Sequence, residues 1–276
     1  MARTRASGSP TAFPAGTLTT STGSLTFDAV TPRAALLVLD GMESSYIDLD
    51  DPTHLEFEYM QQMDLAARVA LGDGPIRALH LGGAGCALAR AWAASRPGSR
   101  QLVVEWDAIL AELAREFCDV PRAPEVKIRV AEARAALQRF PEDRWDVVVR
   151  DTFTGGAVPA HMRTYEVALS ASHTLAEGGL FLANLTDRPP LAIARSEVAT
   201  ISAVFPHVAM IIDPAILRGR RYGNALIVAA KTPFDVTALA RACRGLPLPV
   251  TVVAGEKLRD FAGTMPVLHD EAPTAP

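Results

Sequence analysis

Cysteine is scarce in this 276-residue sequence: Cys86, Cys118 and Cys243 are far apart and no C-x-x-C pair occurs. That excludes a disulfide framework and indicates no zinc site. Lysine is just as rare, since Lys127, Lys231 and Lys257 are the only lysines among 27 basic residues. With the heavy use of Ala, this skew reads as a genome-composition bias, so an Arg cluster carries less weight here than in a balanced sequence. Positive charge is not in surplus. The 27 basic and 31 acidic residues leave a net charge of −4, which argues against a general nucleic-acid binder. No apolar run reaches the roughly 20 residues needed to span a bilayer. The opening MARTRASGSPTAFPAGTLTTSTGS has no apolar stretch of the kind a secretory signal needs. These absences lead to the expectation of a cytoplasmic protein with neither a membrane nor a nucleic-acid partner.

Four segments follow from composition and periodicity. Residues 1–24 are rich in Ser, Thr, Pro and Gly and are expected to be a disordered tail. Residues 25–71 read as a small β unit followed by a helix. LTFDA and AALLVLD are strand-like, and SYIDL follows Gly41. The helix is expected over 53–71, with Asp51 or Thr53 as N-cap, Pro52 near its start, and Leu55, Tyr59, Met63, Ala66 and Ala70 at helical spacing. From residue 76, short apolar runs alternate with helical patterns: IRALHL, QLVVEW, VKIRVA, WDVVVRD, LFLANL, HVAMIID and NALIVAA. Continuous apolar strands separated by helices predict an α/β, doubly wound, mostly parallel seven-stranded sheet over 72–232, Rossmann-like and covered on both faces. The last pair, joined without a helix, predicts one antiparallel strand. Residues 233–276 are expected to add short helices and a Pro-rich tail.

The first strand of this alternation ends in Leu81-Gly82-Gly83-Ala84-Gly85 and opens a helix. In doubly wound sheets, ligands sit at the carboxyl ends of the strands, and glycines let the backbone approach them. Glu105 ends the next strand, where a carboxylate can accept from ribose hydroxyls. Glycines with an acid at this spacing point to a nucleoside site. The third glycine of G-x-G-x-x-G falls on Leu88, which disfavours NAD. Glu132 follows the third strand, either as a contact for an adenine edge or as a helix N-cap. Asp151 closes the fourth strand and should face the same crevice, or cap a turn. Asn184 and Asp187 end the fifth strand and either line an acceptor pocket or satisfy turn backbone. His161, after Pro159, is either a general base or a structural helix-start residue.

The series LHLGGAG, VVEWD, VAEARAAL, WDVVVRDTF and VPAHM resembles the spermidine synthase family, a branch of the class I methyltransferase-like fold. The resemblance covers about residues 25–230. It implies that Gly82, Gly83, Gly85 and Glu105 hold S-adenosyl groups and that Glu132, in Ala131-Glu132-Ala133, contacts adenine. It implies that Asp151, first in Asp151-Thr152-Phe153-Thr154-Gly155, activates the acceptor amine. Tyr59, the member kept of the family's Tyr-His-Glu stretch, joins it as a catalytic residue. Thr154 stands where the family has a second, substrate-binding Asp. Ala84 stands where the glycine loop carries an Asp, and Ser44 takes the place of the Gln after the β unit. The resemblance also implies a homodimer, a small-molecule acceptor and a co-substrate that is S-adenosylmethionine or its decarboxylated form, with no metal.

Charge gives two opposed signals about the acceptor. Eight acids and no Lys or Arg lie between Asp40 and Asp64, a lip that would attract a polyamine. Arg218-Gly219-Arg220-Arg221 lies between the last two strands, where Arg220 and Arg221 could clamp a carboxylate or phosphate. Three readings stay open: aminopropyl transfer, methyl transfer to a small and anionic acceptor, and a non-catalytic nucleoside-binding protein.

Overall fold

The structure, a computed structural model, describes residues 13–271. The expected tail therefore lies outside the described residues over 1–12, as does the end of the chain from 272. Residues 13–24 are structured, contrary to the expectation of a disordered segment. They carry β1 (Leu18–Thr19), which pairs with β2 (Ser24–Thr31). With β3 (Ala34–Leu39) and β4 (Met42–Asp48) these form a four-stranded antiparallel sheet in the order β1-β2-β3-β4. Its inner face carries Leu25, Leu37, Ser45 and Ile47, all fully buried.

Helix α1 (Glu58–Leu71) begins later than expected, and its N-cap, Phe57, makes no side-chain cap bond. Asp51 and Thr53 are occupied with each other: the Asp51 carboxylate accepts the Thr53 N–H at 2.8 Å and its hydroxyl at 2.6 Å. Residues 52–57 are thus turn and loop, and the helix starts where Met60, Met63, Ala66 and Ala67 can be buried.

The remaining elements build the main sheet and its helices. In chain order they are β5 (Arg77–Leu81), α2 (Ala87–Ser95), β6 (Arg100–Glu105), α3 (Ala108–Phe117), β7 (Val126–Val130), α4 (Ala133–Leu137) and β8 (Trp145–Arg150). A 3-10 turn (Ala160–Met162) leads to α5 (Tyr165–Thr174), β9 (Leu175–Asp187), α6 (Ala192–Ser202) and β10 (His207–Ile212). Last come α7 (Pro214–Leu217), β11 (Gly223–Ala230), α8 (Val236–Cys243), β12 (Thr251–Ala254) and α9 (Glu256–Ala262). The order is β12-β10-β11-β9-β8-β5-β6-β7, eight strands where the sequence predicts seven. The extra strand, β12, pairs antiparallel with β10 at the sheet edge. As expected, β11 runs antiparallel to its neighbours, β9 and β10.

Both faces of the sheet are covered, which is why its strands read as unbroken apolar runs. Ala78, Val103, Val147 and Leu180 pack toward α1, α2 and the N-terminal sheet, while Leu79, Val104, Val148 and Phe181 face α5, α6 and α9. Each such Val, Leu or Phe side chain contributes about 1.5–3 kcal/mol on burial. After β5 the chain moves outward to β6 and β7, then returns to form β8 on the other side of β5. That reversal opens a crevice at the carboxyl ends of β5 and β8, where ligands bind in open α/β sheets. Among the described residues no helix is long and apolar enough to cross a membrane.

Candidate active site

A cleft of about 1320 Å³ lies at this crevice, between the carboxyl ends of the strands and the N-terminal sheet. One small-molecule site typically takes ~300–1,000 Å³, so this cleft has room for two substrates side by side. Its walls include Gly82, Gly83, Glu105, Glu132, Asp151, Thr154, His161, Asn184 and Arg221 from the sequence reading, together with Tyr59 from α1.

The glycines have different physical roles. Gly82 sits at φ +89°, and a Cβ there would lie 2.2 Å from the Asp151 carbonyl oxygen. A Cβ on Gly83 would meet Val103 Cγ1 at 2.4 Å. Both residues line the cleft, and both are also forced to be glycine by packing. Gly85, expected at the cofactor, faces the N-terminal sheet instead. Its N–H donates to Ser45 Oγ at 3.2 Å, and a Cβ would strike Leu37 and Ser45.

Glu105 ends β6 with its carboxylate turned back on the glycine loop. Oε2 accepts the N–H groups of Gly83 and Ala84, both at 3.2 Å, and Oε1 accepts that of Asp107 at 3.0 Å. A carboxylate has roughly four acceptor positions, so about one remains open, on Oε1, for a ligand hydroxyl. Burial raises its pKa, against the pull of these three N–H groups. Asp107, which the sequence reading passed over, caps α3 through the Leu110 N–H at 2.8 Å. It also accepts from Ser21 N at 3.0 Å and Thr22 N at 2.8 Å, and so clips the N-terminal sheet onto this end of the cleft.

Glu132 is the N-cap of α4, accepting the N–H of Arg134 at 2.8 Å and of Ala135 at 2.7 Å. The capping alternative is therefore realised, with the side chain still on the cleft wall. Burial would raise its pKa, but those N–H groups and His161 hold it below the usual carboxylate range. His161 sits in the 3-10 turn, not at the start of a long helix. Its Nε2 lies 3.4 Å from Glu132 Oε1, and no contact joins it to Asp151 or Tyr59 among the described residues.

Asp151 follows β8 and is enclosed on two sides. Tyr59 Oη donates to its Oδ2 at 3.0 Å, and Asn184 Nδ2 donates to its Oδ1 at 2.9 Å. Burial pushes its pKa up, opposed by the Asn184 and Tyr59 hydrogen bonds and the Arg150 charge. Burial also drives the Tyr59 phenol well above its ordinary value, with the Asp151 charge adding to it. Behind them Arg150 is buried in an ion pair with Glu197 at 2.6 Å and donates to the Asn184 carbonyl at 3.1 Å.

Three expected acceptor contacts are corrected. Asp187 points away from the cleft: it accepts Arg188 N at 2.7 Å and Ala194 N at 2.8 Å, closing the turn into α6. Arg220 is not on the cleft wall. Arg221 is, but its guanidinium is paired with Asp213, so no clamp of free guanidiniums forms. Thr154 lies on the wall in a small bridge with Ala157. The acids Asp40, Glu43, Glu56 and Glu58 line the same cleft, so its charge favours a cation. Besides Asp107, lining residues that the sequence did not single out include Asn224, whose Nδ2 donates to Asn184 Oδ1 at 3.0 Å, and Trp106, 55% exposed beside Glu105.

No family model matches the chain. Among curated proteins it is 26% identical over 133 residues to a polyamine aminopropyltransferase of Vibrio vulnificus, a match covering 48% of this chain and 44% of that protein. It is 28% identical over 135 residues to an N-terminal histidine N-methyltransferase of Emericella nidulans, covering 47% of this chain and 24% of that protein. The chain thus spans less than half the length of either relative. A solved structure of a probable spermidine synthase from Corynebacterium glutamicum superposes with a TM-score of 0.89 at 38% identity, covering 95% of this chain and 99% of that one. A likeness of that degree over nearly the whole of both chains places the two in one family: the chain belongs to the spermidine synthase-like family of the methyltransferase-like fold.

Proposed function

We propose that this protein is an aminopropyltransferase taking decarboxylated S-adenosylmethionine as donor and a small amine as acceptor, with Asp151 as the acceptor-activating carboxylate. The observation that carries this reading is Asp151 itself, buried at the crevice and held by Tyr59 and Asn184. Desolvation makes it a stronger base than a free carboxylate. It accepts a proton from the amine while the nitrogen lone pair attacks the methylene carbon beside sulfur. The carbon–sulfur bond breaks with its electron pair on sulfur, which neutralises the sulfonium and releases methylthioadenosine. Glu105 would take a ribose hydroxyl on its open position, and Trp106 and Glu132 would border the base. Positioning supplies much of the rate of such an in-line displacement. The acidic wall and the paired state of Arg221 support a cationic acceptor and a donor without a carboxylate.

Methyl transfer from S-adenosylmethionine is a second reading. It is favoured by Ala84, which leaves the glycine loop without an acid against a carboxylate tail, and by the histidine N-methyltransferase relative. Parallel calorimetric titration with S-adenosylmethionine, its decarboxylated form and methylthioadenosine separates the two. Tighter binding of the decarboxylated donor, followed by methylthioadenosine release with a diamine, is the expected result. Preference for S-adenosylmethionine would move the assignment to methyl transfer, and no binding of any of the three would end both.

A further inference from the structure

We infer that Asn224 is a positioning residue for Asp151, acting through the side-chain amide of Asn184. The inference rests on the role proposed for Asp151 and adds the residue that holds its partner in the working orientation.

Donors and acceptors fix which way the Asn184 amide faces. An ionised carboxylate only accepts, and an asparagine amide presents a donor on one side and an acceptor on the other. Asn184 can serve Asp151 only with its NH2 group, as it does at 2.9 Å. That orientation turns Asn184 Oδ1 the other way, where it meets Asn224 Nδ2 at 3.0 Å. Asn224 is thus the group that distinguishes the two faces of the Asn184 amide. Flipping Asn184 would bring oxygen against oxygen at Asp151 and NH2 against NH2 at Asn224.

The backbone leaves little other freedom. Asn184 is 1% exposed, within β9, and its carbonyl is held by Arg150 Nη2 at 3.1 Å. Leu226 of β11 pairs directly opposite it, and Asn224 is two residues along on the same face of that strand, within diagonal reach. A buried Asn184 oxygen that lost its donor would be left unpaired, and the amide would no longer be held in line with Asp151. The charged and titratable groups in contact with Asp151 are Tyr59 from α1 and Arg150 from its own strand. Glu105 of β6, Glu132 before α4, His161 in the 3-10 turn and Arg221 before β11 share the cleft.

The test reads the carboxyl carbon of Asp151 by NMR in Asp-labelled full-length protein, with the resonance assigned through Asp151→Asn. Wild type, Asn224→Leu and Asn224→Asp are titrated against pH. Asn224→Leu is expected to raise the Asp151 midpoint by about one unit, a tenfold gain in proton affinity, because a hydrogen bond to the charged form is lost. Asn224→Asp is expected to raise it further, since the new carboxylate adds a like charge to the cleft and competes with Asp151 for the Asn184 NH2, so Asn224→Leu carries the test of positioning. If Asn224→Leu does not fold, Asn224→Ala, which also lacks a donor, carries the same expectation. The acid limb of kcat should move with the midpoint while KM for the donor stays put. Titration curves for Asp151 that superimpose in all variants would overturn the inference. The measurement needs no turnover: an inactive wild type removes the proposed function but leaves the Asn224 result standing, and an active enzyme with unshifted curves removes Asn224 alone.

Discussion

Tyr59 and Asp151 stand 92 positions apart in the chain, yet the phenol of one donates to the carboxylate of the other at 3.0 Å. Tyr59 comes from the first helix after the N-terminal sheet, and Asp151 from the end of β8. The segment that follows the N-terminal sheet therefore supplies a direct partner to Asp151 in the candidate site. The sheet's own clip, Asp107 to Ser21 and Thr22, closes the opposite end of the same cleft.

Replacing Asp151 by Asn should abolish turnover while preserving the fold. An Asn there can accept from Asn184 with its oxygen and donate its NH2 to the Tyr59 hydroxyl, so each partner stays satisfied with the Asn184 and Asn224 amides unmoved. Turnover should fall by about 10²–10⁴-fold, the usual contribution of a positioned acid or base, with methylthioadenosine binding retained. Stability should not fall. The Asp151 pKa is raised by burial, so the folded chain holds that proton to higher pH than the unfolded chain. The stability this group contributes is present at low pH and lost as pH rises through the folded value, and Asn has no such loss. Thermal unfolding at neutral pH checks this: a melting point well below wild type would contradict it.

Gly82→Ala and Gly85→Ala should separate function from packing. At Gly82 the added methyl meets the Asp151 backbone in a left-handed conformation, so the end of β5 must move away from β8 and carry Asp151 with it. A loss of more than about 3 kcal/mol is expected from overpacking and strain together, with activity lost even in the folded fraction. At Gly85 the methyl meets side chains, Leu37 at 2.9 Å and Ser45 at 3.0 Å, which can shift. About 1–3 kcal/mol is expected, with turnover per folded molecule unchanged. Denaturant unfolding and active-site-normalised rates decide between these outcomes.

The β-α alternation was legible because two-sided burial leaves strands with no polar face, as in Val147, Val148 and Val149 of β8. The glycine loop and Glu105 were legible because sheet topology fixes where such residues fall. β12 was not, since four residues of TVVA after a Pro-rich stretch become a strand only by pairing with β10. For Asp187 the turn-backbone alternative is the one realised, and strand periodicity distinguishes it from Asn184. Positions 184 and 187 differ by three in one strand, and a period of two puts them on opposite faces, as the Ala194 bond of Asp187 confirms. Thr186, on the Asn184 side, is the residue on the cleft wall. Asn224 could be found only by adding the β9–β11 register, which is a tertiary fact. Likewise nothing in the arginine run tells that Arg221 is already paired with Asp213.

His80 should make stability fall as the solution is acidified. It is buried in β5, donates from Nε2 to Gln101 Oε1 at 2.9 Å, and burial pulls its pKa down to about 4. The unfolded chain takes up this proton near pH 6.5, and the folded chain does not until near pH 4. Stability contributed by the neutral ring is therefore full above about pH 6.5 and is lost progressively down to about pH 4. The whole effect is on the order of 3 kcal/mol. His80→Gln keeps a donor for Gln101 and removes the titration. Urea midpoints measured between pH 4 and 7 should slope upward less steeply in this variant, and parallel slopes would assign the acid loss elsewhere.

Arg134→Ala should weaken nucleoside binding from outside the cleft. The Arg134 guanidinium donates to the His161 carbonyl at 2.9 Å and to Asp270 at 2.8 Å, with a second, shorter contact to the same carboxylate. Asp270 is the end of a strap: Leu268 exchanges hydrogen bonds with Tyr165 N at 2.7 Å and Thr200 Oγ1 at 2.9 Å, and Glu166 accepts Asp270 N at 3.0 Å. Arg134 thereby ties this strap to α4, whose first turn is capped by Glu132, and to the turn carrying His161. Removing it should cost about 1 kcal/mol in stability, because the pair is partly exposed, and loosen the wall formed by Glu132 and His161. Arg134→Lys should not restore binding, since an ammonium cannot fork to a carboxylate and a carbonyl together. Trp106 is the exposed indole, Trp92 and Trp145 being buried, so its emission reports the cleft directly. Titration with methylthioadenosine should give a several-fold weaker affinity in Arg134→Ala, and an affinity equal to wild type would mean that the strap stabilises the fold without shaping the cleft.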